Sequence, residues 1–174
     1  MAVTQEELRE LLWYEPETGK FYWLVRTSKA IPGSEAGDVW PTKRSKPYRR
    51  IRVRRKSLPA SHWAHLYMMG SLPAYEMDHR NGDTLDDRWA NLRPATRQQN
   101  EANRGARRNS KTGIKGVVFD KAKGKYEARI YRRGVHRYLG GFSSPEEAAA
   151  AYDAAAVSFD GEFFRPALGP SHDR

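Results

Sequence analysis

The first apolar positions of the chain, Leu8, Leu11 and Leu12, have helical spacing and follow Thr4-Gln5-Glu6-Glu7, a threonine with an acid three positions later as in a capping box. A short amphipathic helix is predicted there. Glu17-Thr18-Gly19-Lys20 has turn composition and leads into Phe21-Tyr22-Trp23-Leu24-Val25, whose aromatic and β-branched residues predict a strand. Residues 27–42 read as loop. From Lys43 to Lys56, Ile51 and Val53 alternate with Arg50, Arg52 and Arg54, which predicts a strand with one apolar and one basic face. His62 to Met69 reads as a helix stopped by Gly70 and Pro73.

Around Tyr75–Asp83 a short strand runs into Asn81-Gly82, a pair that favours a tight hairpin turn. Thr96-Arg97-Gln98-Gln99 is a second capping box, so a helix should start there with Asn100 about one turn inside. Further on, strands are predicted at Gly116–Phe119, Tyr126–Tyr131 and Arg137–Phe142. In the middle one, Tyr126, Ala128 and Ile130 share a face, while Glu127, Arg129, Tyr131 and Arg133 share the other. Ser144-Pro145-Glu146-Glu147 opens a helix, along which Tyr152, Ala155, Ala156 and Phe159 form an apolar stripe. That stripe should pack on the sheet and turn Arg129, Tyr131 and Arg133 outward. The fold class is α+β. Residues 105–112, small, polar and basic, are read as a linker between a first region, 1–104, and a second, 113–168.

Charge narrows the partner. Among 174 residues there are 31 Lys plus Arg against 21 Asp plus Glu, a formal charge of +10 that favours a polyanion. Nine basic residues and no acid lie between Lys43 and Lys56, more than a charged edge strand needs for protection, which makes Arg50, Arg52 and Arg54 candidate phosphate contacts. Arg104, Arg107 and Arg108, in and beside the linker, could lie along the same backbone. No apolar run is long enough to span a membrane and no signal-peptide layout opens the chain, so the expected setting is cytoplasmic, with no membrane and no protein partner implied. The absence of cysteine excludes disulfides, thiolate zinc sites and thiol catalysis. His62 and His65 suggest a metal pair only weakly, since no His-Glu-x-x-His arrangement surrounds them.

Asp78-His79 beside the reversal, Asn91-Leu92-Arg93 twelve residues on from His79, and Asn100 nine further together resemble the motif of HNH nucleases, closest to phage and intron-encoded homing endonucleases. The resemblance implies a ββα-metal catalytic region holding one divalent ion. Asp78 and Asn100 would be its ligands, His79 the general base, and Asn91 the residue that braces the hairpin loop. Asn91 could also orient the His79 ring. The third motif position is Asn rather than His, and oxygen ligands fit Mg²⁺ or Mn²⁺ better than zinc. A histidine, with an ordinary pKa near 6.5, can take a proton from water close to neutrality. Adjacent strand residues alternate faces, so Asp78 and His79 converge only if the strand twists or ends there.

Lys115-Gly116-Val117, Tyr126–Ile130, Leu139-Gly140-Gly141-Phe142 and Glu146–Asp153 resemble the AP-two or ethylene-response-factor domain. This implies a three-stranded antiparallel sheet packed on one helix, with the sheet in the major groove of duplex DNA and Arg129, Tyr131, Arg133 and Arg137 as contacts. Val118 and Tyr126 stand where Arg and Trp are usual, so no base preference carries over. The expected function is metal-dependent cleavage of duplex DNA by a homing-type endonuclease, nicking because one chain supplies one site, in a phage-infected bacterial host. The rival is a non-catalytic DNA-binding regulator on a nuclease scaffold. An RNA-binding or structural protein would account for the charge but not for the Asp78, His79, Asn91, Asn100 spacing.

Overall fold

Thr4 caps the first helix, α1 (Gln5–Leu11): its hydroxyl accepts from the Glu7 amide at 3.2 Å, and the Glu7 carboxylate accepts from the Thr4 amide at 3.0 Å. The structure, a computed structural model, describes residues 2–27, 30–41, 46–107 and 109–169. It divides into two units, Met1–Arg97 and Gln98–Arg174. In the first, the helix stops before Leu12, whose extended backbone (φ −135°, ψ 140°) opens β1 (Leu12–Glu15). Leu12 is thus a strand residue, not part of the helical stripe. β1 pairs antiparallel with β2 (Lys20–Trp23), shorter than the predicted strand, and alternation buries Leu12, Tyr14 and Phe21 while Trp13 stays exposed.

The segment expected to be loop contains β3 (Asp38–Trp40), paired to β4 (Tyr48–Val53), which pairs in turn with β5 (Lys56–Pro59). All three β3 residues are exposed, so no apolar alternation announced the strand. β4 is central in this sheet, which removes edge protection as the reason for its basic residues. Lys43 and Arg44 lie outside the described residues. Ile51 and Val53 are fully buried and Arg52 is exposed. α2 (Ala60–Met69) starts two residues before the predicted helix and ends at Gly70. Its buried Trp63 donates Nε1–H to the Ile51 carbonyl at 3.0 Å. Leu8, Leu12, Tyr14, Phe21, Ile51, Val53 and Trp63 form the centre of this core, each apolar side chain contributing about 1.5–3 kcal/mol by leaving water.

β6 (Glu76–His79) and β7 (Leu92–Ala95) pair antiparallel, with Asp78 opposite Arg93 and His79 opposite Leu92. The Gly82 amide donates to the His79 carbonyl at 2.7 Å, so the chain does reverse at Asn81-Gly82. It then runs on through a loop and a 3-10 turn (Trp89–Asn91) before β7. A longer connection replaces the tight hairpin predicted. α3 (Arg97–Asn103) follows Thr96 and crosses the division between the units.

In the second unit β8 (Val117–Asp120), β9 (Lys125–Arg132) and β10 (Val135–Phe142) form an antiparallel sheet in the order β10-β9-β8. Helix α4 (Pro145–Asp160) is capped by Ser144, which accepts from the Glu147 amide at 3.2 Å. Its buried stripe is Ala148, Ala149, Tyr152 and Ala156, packed with Ala128 and Ile130 of β9. The predicted stripe is displaced along the helix: Ala155 is only partly buried, and Phe159 is exposed, with the Arg137 guanidinium over its ring. Gly116 admits the closest approach, since at φ +74° a Cβ there would stand 2.1 Å from a Tyr152 ring carbon. No helix among the described residues is long and apolar enough to cross a membrane.

Candidate active site

β6 ends on two neighbouring polar residues, Asp78 and His79, and both are buried. The cross-strand register brings Arg93 to Asp78, and the guanidinium donates through Nε and ion-pairs through Nη2, each 2.8 Å from Oδ2. With side chains 5 % and 7 % exposed, removing one partner leaves the other's charge away from water. His79, on the other side by alternation, has Nε2 3.1 Å from Oδ1 of Asp87, with side-chain exposures of 9 % and 4 %. The adjacent side chains therefore serve separate partners at the strand's end.

Asn91 ties down the intervening loop. Its Oδ1 accepts from the Asn81 amide at 3.0 Å and its Nδ2 donates to the Asp86 carbonyl at 2.7 Å. The Arg80 amide donates to the Asn91 carbonyl at 2.8 Å. Arg88 grips Asp86 with Nε and Nη2 at 2.7 and 2.6 Å, and that hydrogen bonding holds the Asp86 carboxyl below the usual range.

The N-terminal hairpin supports the same loop from outside. Tyr14 of β1 donates its hydroxyl to the Asp87 carbonyl at 2.7 Å, and the Trp89 amide donates to the Pro16 carbonyl at 2.9 Å. Gly19, at φ +75°, sits so close that a Cβ there would be 2.3 Å from the Asp87 carbonyl carbon. Burial, followed by the nearby Asp87, pushes the Tyr14 hydroxyl well above its ordinary range, so it stays a donor. On α2, burial and then His65 push the His62 imidazole down, and its Nδ1 is buried without a hydrogen-bond partner. His65 places Nδ1 2.7 Å from the Ser71 carbonyl.

The structure brings Asp78, His79 and Asn91 together in one hairpin, whereas Asn100 lies half-buried on α3 in the second unit. Among the described residues no group of three or more His, Asp or Glu side chains is arranged to hold a metal ion.

Of the candidate DNA contacts, Arg52 and Arg107 are exposed, and Arg108 lies outside the described residues. Others have partners within the protein. Arg50 donates to the Ser57 carbonyl at 2.6 Å and lies over the Trp40 ring; Arg54 pairs with Glu7 at 3.0 Å and Arg104 with Glu101 at 3.0 Å. Arg129 and Tyr131 are exposed on the outer face of β9, whereas Arg133, expected on that face, is exposed in the turn after β9 at φ +52°, and Arg137, opposite Ile130, is exposed on the helix side of the sheet with its guanidinium over Phe159. Arg129 also pairs with Glu127. Glu127 faces outward by alternation yet is only 2 % exposed, because Lys123 at 2.8 Å and Arg129 cover it. The Lys123 hydrogen bond, then that of Arg129, holds its carboxyl below the usual range.

Residues 59–102 match the HNH endonuclease family. The chain carries an HNH segment. An uncharacterized HNH endonuclease of Acanthamoeba polyphaga mimivirus is 29 % identical over 102 residues, 58 % of this chain and 52 % of that protein. An AP2-like ethylene-responsive transcription factor of Arabidopsis thaliana is 39 % identical over 70 residues, 40 % of this chain and 14 % of its own length. An APETALA2-like protein of Oryza sativa subsp. indica is 43 % identical over 58 residues, 33 % of this chain and 13 % of its own. The chain thus joins an HNH segment to an AP-two-type segment, and spans about half the length of the mimivirus relative and a small part of the plant ones. No solved structure matches at comparable significance.

The HNH segment takes in α2, β6, the loop, β7 and nearly all of α3, so Asp78, His79, Asn91 and Asn100 all fall inside it. So do Asp87 and Arg93, to which sequence reasoning gave no role. Arg93 could have been found from the register of the hairpin, as the opposite charge facing Asp78. Asp87 had no such signal, being one of three acids in a polar loop.

Proposed function

We propose that the protein is a metal-dependent endonuclease of homing type that hydrolyses phosphodiester bonds in duplex DNA, nicking one strand because one chain supplies one site. The observation that carries this reading is a buried His79, held by a carboxylate beside a second buried acid, Asp78, inside the HNH segment. His79 takes a proton from water, the water oxygen attacks phosphorus, the bond to the leaving oxygen breaks, and solvent reprotonates that oxygen. Asn91 keeps the loop closed around the base.

The donor chemistry fits a hard divalent ion, Mg²⁺ or Mn²⁺. Asp78 would hold it through carboxylate oxygen, and Mg²⁺ commonly takes one or two carboxylates and completes its shell with water and phosphate. A carboxylate has two oxygens, so Asp78 can serve an ion and the Arg93 guanidinium together. When bound, such an ion supplies positive charge to the scissile phosphate and the leaving oxygen. The outer face of β9, with Arg129 and Tyr131, and the turn that follows it, with Arg133, are proposed to read the duplex.

One observation favours the rival reading, a DNA-binding regulator on a nuclease scaffold: Asp78 is already neutralised by Arg93. Cleavage of a supercoiled plasmid library of random inserts, with Mg²⁺ or Mn²⁺ against chelator, separates the two. Nicking that needs the metal and falls by about 10²–10⁴-fold in His79→Ala, with DNA affinity unchanged, is the expected result. Tight DNA binding with no metal-dependent cleavage by the wild type would establish the regulator instead.

A further inference from the structure

We infer that Asp87 is a positioning residue for His79, accepting its Nε2–H, fixing the imidazole in that tautomer and leaving Nδ1 as the nitrogen that takes the proton. The inference rests on the reading of His79 as the base. An ionised carboxylate can only accept, so a ring nitrogen 3.1 Å from Asp87 Oδ1 must carry the hydrogen. In a neutral imidazole the other nitrogen is then the basic one.

Three further observations single out Asp87. Its second oxygen, Oδ2, is buried with no hydrogen-bond partner. A half-satisfied buried carboxylate is costly, and that cost is more usual at functional sites than in structural pairs. Its backbone is fixed by the N-terminal hairpin through the Tyr14 hydroxyl, the neighbouring contact from Trp89 to Pro16, and the close approach of Gly19. The direction of charge also fits. Proton uptake makes the His79 ring a cation, and a buried anion in line with Nε2 stabilises that cation as it forms. Asp78, the neighbouring acid, has its charge answered by Arg93.

Asp87→Asn tests this with little change of shape, because an amide both donates and accepts and so no longer selects one tautomer. In the full-length protein, metal-dependent nicking should lose about 10²-fold or more in kcat with KM for DNA unchanged and melting within a few degrees of wild type. Wild-type kcat, or a loss confined to KM, would overturn the inference. Nitrogen-15 spectra of the histidine-labelled full chain, assigned with His79→Ala, give a readout independent of cleavage. In mildly alkaline solution wild-type His79 should show a protonated Nε2 and a bare Nδ1, and Asp87→Asn should average or reverse them. A bare Nε2 in the wild type refutes the positioning role even if the protein cuts DNA. Conversely, an inactive wild type with the expected spectrum would refute the nuclease reading and leave the Asp87 contact standing.

Discussion

Arg93 and Asp78 face each other across two strands, and with both side chains below one-tenth exposure the pair cannot be treated as a surface salt bridge. Replacing Arg93 with methionine keeps much of the volume but leaves Asp78 charged and buried. The expected cost is about 3–5 kcal/mol in urea unfolding without metal. Because Asp78 is also the proposed ion ligand, added Mg²⁺ should raise the stability of Arg93→Met more than that of wild type. Equal stabilisation of both would argue against Asp78 as a ligand. At this scale the sequence spoke clearly for Asp78, His79 and Asn91, whose spacing places them in one hairpin. It was silent on Arg93 and Asp87, because cross-strand neighbours depend on register and loop partners on a chain path that no local pattern encodes. Basic residues were legible as charge but not as contacts: Arg50, Arg54 and Arg129 each have a partner inside the protein.

Elements were legible where a chemical signal marks their ends and obscure where only apolar contrast could. Capping residues located the starts of α1 and α4, and Gly70 the end of α2. Leu12 sits at helical spacing from Leu8 but leaves the helix, since spacing alone does not say at which residue the backbone changes. In α4 the many alanines give apolar positions on every side, so periodicity could not choose the buried face. The β1–β2 hairpin matters beyond its own pairing, because its turn abuts the loop that carries Asp87. Gly19→Ala introduces a side chain at positive φ, with its Cβ 2.3 Å from the Asp87 carbonyl carbon and 2.4 Å from the Arg88 nitrogen. Either the hairpin or the loop must move. Lower melting temperature together with a reduced cleavage rate at unchanged DNA affinity is the expected outcome, read by calorimetry and nicking kinetics. Should cleavage stay at wild-type rate despite a lowered melting temperature, the hairpin supports the fold without supporting the base.

Across the whole molecule the proposal assigns chemistry to the HNH segment and base readout to the sheet of β8, β9 and β10, and the intact chain can test that division. His79→Ala should keep the wild-type footprint on DNA while losing cleavage. Tyr131→Ala and Arg133→Ala should keep the turnover rate at saturating DNA and change where the cuts fall. These two are cleaner than Arg129, whose removal would also uncover part of the buried Glu127 charge. An arginine that reads a base edge should cost about 1–3 kcal/mol of affinity and relax preference at one position. One that contacts phosphate should weaken all sequences alike and reduce the salt slope by about one unit. Footprints and binding titrations at several salt concentrations distinguish these outcomes. If both variants bind, footprint and cut like wild type, the sheet is not the reading surface. The basic stretch from Lys43 to Lys56, with exposed Arg52 on a central strand, then becomes the better candidate.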